Sequence, residues 1–301
     1  MRPPPPSSDE RPLVLLAQPL FPDFAAALAG RFRFALAADA DAADTAEGKV
    51  LHVGLKPVTD EHLTAFPALE LVAGISVGVD HVDLAACRRR GLSLTNAGAA
   101  FAVDSADYAV GLLIAVLRQV AAAEALRGKR VGIIGLGSIG SGIARRLQAF
   151  GCVVSYHSRR QKHDISYTYH PTILDLAASS DVLVVACALT AETRHVVDRA
   201  VLDALGSGGV LVNVARGANV DEAELVRALA EGRIAGAGLE VFEDEPNVPA
   251  ELLGMDNVVL THHQAAYTLE AMADLDRLVV GNLEAFFAGA PLLTPVLQVL
   301  D

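Results

Sequence analysis

Cysteine is scarce in this 301-residue chain: Cys87, Cys152 and Cys187 are the only three. They lie far apart and form no Cys-x-x-Cys, which excludes a zinc framework or a disulfide scaffold. They read as reduced core thiols of a cytoplasmic protein. Positive charge is also short. Lys and Arg number 24 against 36 Asp and Glu, a formal charge of -12, which argues against nucleic acid or an anionic membrane as partner. No apolar run is long enough to cross a bilayer without interruption by charge or glycine. Residues 1–12 are Pro/Ser-rich, carry Asp9 and Glu10, and lack the basic-then-apolar order of a signal peptide, so they read as a disordered lead-in. The chain is 52% hydrophobic and 20% charged, the composition of a soluble globular protein, and its length suggests two domains.

What is present is an alternation of strands and helices. Apolar runs at 13–16, 50–53 and 69–72 look like strands of a parallel sheet, with helices over 24–28 and 59–66 between them. A long apolar helix covers 104–117, with Asp104 or Ser105 near its start. Strands follow at 131–134, 153–156, 182–186, 210–214, 237–241 and 258–261, and a last long helix at 269–287. The expected fold class is α/β, doubly wound, with a cofactor crevice at the carboxyl ends of the strands.

Gly135-Leu136-Gly137-Ser138-Ile139-Gly140 joins the 131–134 strand to a helix over 141–150. Strand, glycine turn, helix is the dinucleotide-binding context. Gly135 permits the tight turn, Gly137 lets the backbone approach a pyrophosphate, and Gly140 lets helix and strand pack closely. The helix N-terminus offers unpaired N–H groups to phosphate. Some 130 residues precede this motif and 160 follow it, so a nucleotide domain cannot account for the whole chain.

Three polar groups follow at places where strands end: Arg216, the carboxylate cluster Glu243-Asp244-Glu245, and His262-His263. By the crevice rule they face one cleft. A guanidinium grips a carboxylate bidentately, and a His–Glu pair makes a proton donor matched to neutral pH, a set suited to hydride transfer to a 2-oxo acid.

With these residues the chain resembles the D-isomer-specific 2-hydroxyacid dehydrogenases, over about residues 50–296. The matching stretches are 76–80, 132–140, 213–217, 238–246 and 257–268. Residues 111–118, 182–193 and 279–295 look most like plant-type hydroxyphenylpyruvate/hydroxypyruvate (glyoxylate) reductases. The resemblance implies a Rossmann-type dinucleotide domain, residues 99–268, inserted in a flavodoxin-like substrate-binding domain, residues 1–98 and 269–301. It also implies roles. Arg216 would hold the substrate carboxylate and keto oxygen, His263 would donate the proton, and Glu245 would orient His263 and favour its charged form. The backbone amides of Val77 and Gly78 would bind the other side of the carboxylate. Ser138, Ile139, Thr193, Ala215 and Glu240 would join the glycines at the cofactor.

Cofactor choice follows from the second strand of that domain, which ends Tyr156-His157-Ser158-Arg159-Arg160 with no acid to accept from the ribose hydroxyls. An Asp there would repel a 2′-phosphate by roughly 4 kcal/mol at 4 Å and an effective dielectric of 20. Ser158 and Arg159, with Arg160, read instead as a phosphate clamp, so NADP(H) is expected over NAD(H).

The chain departs from its kin in places. Only Ala125-Leu126 separates Glu124 from Arg127-Gly128, where relatives carry a longer, Trp-bearing connection that builds their dimer; this chain has no Trp. The homodimer implied by resemblance stands against that short path. Glu240 replaces an Asp, Ala188 a proline, Ala102 a threonine and His262 a proline, and residues 264–267 depart from the usual small run. The expected activity is NADPH-dependent reduction of a small 2-oxo acid (hydroxypyruvate, glyoxylate or 4-hydroxyphenylpyruvate). The alternative is a catalytically weak dinucleotide-sensing or corepressor-like scaffold of the same fold.

Overall fold

Short apolar strands and capped helices build two separate sheets. The computed structural model describes residues 11–20, 25, 28, 30–119 and 124–297. Its internal contacts divide the chain into Met1–Ala100 with Leu269–Asp301, and Phe101–Thr268.

In the first unit β1 (Leu13–Leu16), β2 (Arg33–Leu36), β3 (Val50–Val53), β4 (Leu71–Gly74) and β5 (Ser93–Thr95) run parallel in the order 2-1-3-4-5. That is the flavodoxin-like order. A C-terminal strand, Pro295–Leu297, adds antiparallel to β5. Every residue of β1, β3 and β4 is buried. Their sequences are therefore near-continuous apolar runs rather than alternating ones, as a sheet covered on both faces requires.

The second unit holds β6 (Arg130–Ile134), β7 (Val153–His157), β8 (Thr168–Tyr169), β9 (Val182–Val185), β10 (Val210–Asn213), β11 (Gly236–Leu239) and β12 (Val258–Leu260). All are parallel, in the order β8-β7-β6-β9-β10-β11-β12. Counted from β6 this is the Rossmann order 3-2-1-4-5-6 with a seventh strand at the far edge, and the chain reverses direction of travel between β6 and β9. The helix Ala102–Gln119 lies on this sheet and buries Ala106, Ala109, Leu112, Leu113, Val116 and Leu117, a stripe at helical spacing.

Several sequence expectations shift. The helix expected over 141–150 runs Ser138–Ala149, because Gly137 is its N-cap and the glycine motif supplies its first turn. The strand expected at 69–72 is Leu71–Gly74. Leu71 pairs with Val50, whereas the Leu69 amide donates to the Phe66 carbonyl at 3.2 Å and closes a turn. Strands expected to end at 214 and 241 stop at Asn213, whose side chain takes over the next backbone groups, and at Leu239. Strands of two to four residues at 33–36, 93–95, 168–169 and 295–297 are too short to show periodicity, and were not anticipated. Nor were the helices at 42–47, 84–89, 173–178, 199–205 and 222–230, although Asp41, Asp83, Thr172, Asp198 and Asp221 cap them with side-chain acceptors. The helix over 24–28 falls mostly, and the lead-in of residues 1–12 almost wholly, outside the described residues. So do residues 120–123 of the short connection; beyond them the Glu124 amide donates to the Leu117 carbonyl at 3.2 Å and its carboxylate pairs with Lys129.

Candidate active site

At the β6/β9 reversal lies a cavity of about 770 Å³, walled by the residues that follow β6, β7 and β9. Gly135, Gly137, Ser158, Arg159, Arg160 and Thr193 all line it. Gly135 has φ +95°, and a Cβ there would fall 2.7 Å from the Cys187 backbone. A Cβ on Gly140 would meet the Gly135 carbonyl oxygen at 2.0 Å, so the helix can start this close to the strand only with glycine in place. Gly137 differs: a Cβ there meets nothing within 4 Å, so its backbone faces open space that a ligand can reach. Ser138, Ile139 and Gly140 form the first turn of a helix of 12 residues, which leaves their amides free of intrahelical partners. These features fit a dinucleotide: a turn without side chains, a helix N-terminus for the pyrophosphate, and cationic side chains at the far end.

Within the clamp the Ser158 hydroxyl donates to the Arg160 carbonyl at 2.7 Å, so its proton is already used and positive charge rests on Arg159 and Arg160. Lys162 adds a third cation; its Nζ donates to the Leu136 carbonyl at 2.5 Å. Glu192, on the cavity wall, is held below the usual carboxylate range by hydrogen bonds with the Thr190 side chain and a backbone amide and by the charge of Arg159. Cys187 also lines the cavity, and burial pushes its thiol up to about 11. The Thr193 hydroxyl donates to the Ala188 carbonyl at 2.7 Å and accepts from the Thr190 amide at 2.7 Å, closing the loop after β9.

The second cluster lies beyond β10, β11 and β12. Arg216 is three residues past the end of β10, not adjacent to it. Asn213 ends the strand by turning its side chain onto the loop, accepting from the Ala215 amide at 3.0 Å and donating to the Arg216 carbonyl at 2.9 Å. Asn219 takes the other side, accepting from the Arg216 amide at 3.1 Å and donating to the Thr193 carbonyl at 3.0 Å. Both asparagines are buried. Ala215 is buried beneath, and its carbonyl accepts from Arg216 Nη1 at 2.9 Å.

His263 and Glu245 meet: Nδ1 to Oε2 is 2.8 Å. The other Glu245 oxygen accepts from the Phe242 amide at 3.0 Å. Burial works to raise the Glu245 carboxyl. The bond to His263, the Phe242 amide and the charges of His263 and Arg216 outweigh it and leave the carboxyl lowered. His262 is exposed, so of the two adjacent histidines it is His263 that carries the pair. His263 has φ +54°, a left-handed conformation that needs support from its surroundings. Glu240 provides it. Its carbonyl accepts from the His263 amide at 2.8 Å, one carboxylate oxygen accepts from the Ala265 amide at 2.5 Å, and the other from the Thr261 hydroxyl. Gln264 and Thr268 then tie the segment to the long helix through Tyr108 and Asp104, each at 2.8 Å. Glu240 and Ala215 are thus brought to this cluster and do not line the cavity.

In the first unit the turn after β4 is pinned by carbonyl contacts. Ser76 Oγ donates to the Gly78 carbonyl at 2.7 Å and Asn96 Nδ2 to the Val77 carbonyl at 2.8 Å. Among the described residues neither the Val77 nor the Gly78 amide has a partner, which leaves both as donors to an anion.

Sequence reasoning missed Asn213 and Asn219, although both sit three residues from Arg216 and Asn213 closes an otherwise apolar strand. It also missed His195–Glu243, a second histidine–carboxylate pair at 2.9 Å that links the loop carrying Thr193 to the loop carrying Glu245. Tandem acids at 243–245 gave no way to tell which partner each would take.

Comparison with known proteins places this geometry. Residues 113–265 match the family model of the D-isomer specific 2-hydroxyacid dehydrogenase NAD binding domain. The chain is 51% identical over 261 residues to glyoxylate/hydroxypyruvate reductase HPR3 of Arabidopsis thaliana, covering 81% of each chain. It is 49% identical over 253 residues to hydroxyphenylpyruvate reductase of Plectranthus scutellarioides, covering 78% of this chain and 81% of that one. Among solved structures it is similar to the NADPH-dependent glyoxylate/hydroxypyruvate reductase of Sinorhizobium meliloti in complex with NADP and malonate. That match has a TM-score of 0.89 and 39% identity, over 95% of this chain and 97% of that one.

Proposed function

Because the chain belongs to the D-isomer specific 2-hydroxyacid dehydrogenase family and is an oxidoreductase, we propose that it reduces a small 2-oxo acid to the D-2-hydroxy acid, with NADPH preferred over NADH. Hydroxypyruvate, glyoxylate and 4-hydroxyphenylpyruvate are the candidate substrates. The observation that carries the reading is the His263–Glu245 pair at 2.8 Å, in the same unit as a cavity suited to a dinucleotide.

When bound, the nicotinamide supplies a hydride to the carbonyl carbon. The chain supplies the rest. The Arg216 guanidinium, its backbone fixed by Asn213 and Asn219, holds the substrate carboxylate and polarises the keto oxygen. With Glu245 ionised, Nδ1–H of His263 donates to it, so Nε2 is the nitrogen that delivers a proton to the forming alkoxide. Hydride on carbon and proton on oxygen complete the alcohol. Thr193 and the glycine turn would hold the cofactor, with Arg159 and Arg160 at its 2′-phosphate. That cationic end of the cavity, with His157-Ser158-Arg159-Arg160 in place of an acid at the end of β7, supports NADPH over NADH.

The test follows NADPH oxidation with each of the three 2-oxo acids in wild type and His263→Ala. Turnover in wild type and its loss in the variant, with NADPH still bound, is the expected result. Equal inertness of both proteins, with NADPH bound, would leave a dinucleotide-sensing scaffold as the better account.

A further inference from the structure

His157 ends β7 on the wall of the same cavity, one residue before Ser158. Its Nδ1 lies 3.0 Å from the His170 carbonyl oxygen. A carbonyl only accepts, so Nδ1 is the donor whatever the charge on the ring. The ring stacks on Tyr169, with centroids 6.3 Å apart and planes at 17°. Tyr169 packs in turn on Tyr156 at 5.4 Å. The short edge strand β8 thus fixes both the tautomer and the plane of His157. Among the described residues Nε2 has no hydrogen-bond partner, so it is the ring nitrogen left for a ligand in the cavity.

We propose that His157 is a proton-dependent member of the 2′-phosphate clamp, accepting charge at Nε2 and donating that proton to the phosphate beside Arg159 and Arg160. The inference rests on reading the cavity as an NADPH site. The other charged groups on the cavity wall are the cations Arg159, Arg160 and Lys162 and the carboxyl of Glu192, which is held low. From β8 and the residue after it, Tyr169 contributes a ring face and His170 a carbonyl. The His170 imidazole is directed to Ser179, 3.4 Å from its hydroxyl. A histidine at this position therefore makes the grip on a phosphate depend on pH in a way that arginine alone does not.

The experiment measures Kd of the full-length protein for NADPH and for NADH near pH 6, 7 and 8.5, in wild type, His157→Asn and His157→Phe. Asn keeps a donor for the His170 carbonyl, Phe keeps the stack on Tyr169, and neither titrates. The phosphate's own second ionisation near pH 6 is common to all three proteins and cancels in ratios of variant to wild type. The expected NADPH ratio is about 10 near pH 6, falling to about 2 or less near pH 8.5, with NADH ratios within about twofold throughout. A flat NADPH ratio, in a wild type that still prefers NADPH, overturns the role of His157 alone. NADH ratios that follow the NADPH ones also overturn it, since both cofactors would then be sensing a structural change. A wild type indifferent to the 2′-phosphate overturns the clamp and the NADPH reading together.

Discussion

A Cβ on Gly217 would sit 1.9 Å from the carbonyl carbon of Phe242 and 2.2 Å from the Glu243 amide nitrogen. The turn after Arg216 is therefore pressed directly against the backbone that leads to Glu245. No side chain fits there without moving one loop or the other. Gly217→Ala is expected to cost about 1–3 kcal/mol in stability through overpacking. The larger effect falls on catalysis, because displacing Arg216 from the acid pair by about 1 Å can cost up to 10²-fold. Steady-state kinetics should show kcat/KM for the 2-oxo acid falling by at least about tenfold, while Kd for NADPH changes by less than about threefold. Unchanged kcat/KM would show that the two loops tolerate separation.

The acid pair sets the expected pH dependence. Glu245 is lowered in the folded protein relative to an unfolded carboxyl near 4.3. Its contribution to stability is thus fully present above about pH 4.3 and is lost as pH falls through the lower folded value. Glu245→Gln should flatten the acid side of the stability curve, read by urea denaturation between pH 3 and 6. Activity tests the same pair: Gln offers Nδ1–H of His263 a neutral acceptor in place of a carboxylate, so kcat/KM of Glu245→Gln for the 2-oxo acid should fall by at least about tenfold, and an unchanged kcat/KM would mean that another group holds the proton donor.

How much of this was legible beforehand differs by element. Strands such as Val182–Val185 and Val210–Asn213 announce themselves because both faces are covered, which demands an unbroken apolar run. The glycine turn was legible because its geometry tolerates so few residues: Gly135 at φ +95° and Gly140 against a carbonyl both leave a mark in the sequence. The two-residue strand Thr168–Tyr169 left none, since its partner β7 and the packing of Tyr169 on His157 decide it, and neither is local. Arg216, Glu245 and His263 were legible as candidates at strand ends. Their supports were not. Asn213, Asn219 and Glu240 act through backbone groups brought together by folding, and a polar residue ending a strand carries no sign of which amide it will bind.

The cysteines give a test of burial. Burial pushes the thiols of Cys87 and Cys152 up, and that of Cys187 to about 11. The thiolate is the nucleophile, and near pH 8 a thiol of that kind is ionised to only about 0.1%. Native protein should therefore take up iodoacetamide slowly near pH 8, with all three sites labelled rapidly once urea unfolds the chain. Intact-mass spectrometry reads both outcomes. Fast labelling of one site in the native protein, mapped to Cys187 by peptide analysis, would show the cavity wall to be more open than its packing indicates.

Glu240 offers the sharpest separation of support from chemistry. The resemblance implies a role at the cofactor for it, yet both carboxylate oxygens are committed to the Thr261–Ala265 segment. The side chain is 1% exposed, so truncation leaves the Ala265 amide without its acceptor in a dry environment. Glu240→Ala should cost about 1–3 kcal/mol. It should also lower kcat, because the backbone of His263 at φ +54° loses the bracket formed by the carbonyl and carboxylate of one residue. Glu240→Asp tests the added methylene: a shorter arm reaches one of Thr261 and Ala265 more readily than both, so an intermediate loss is expected. If Glu240 instead served mainly as a cofactor contact, Kd for NADPH would rise in both variants while thermal stability stayed near wild type. Calorimetry and fluorescence titration on the same two proteins distinguish these outcomes.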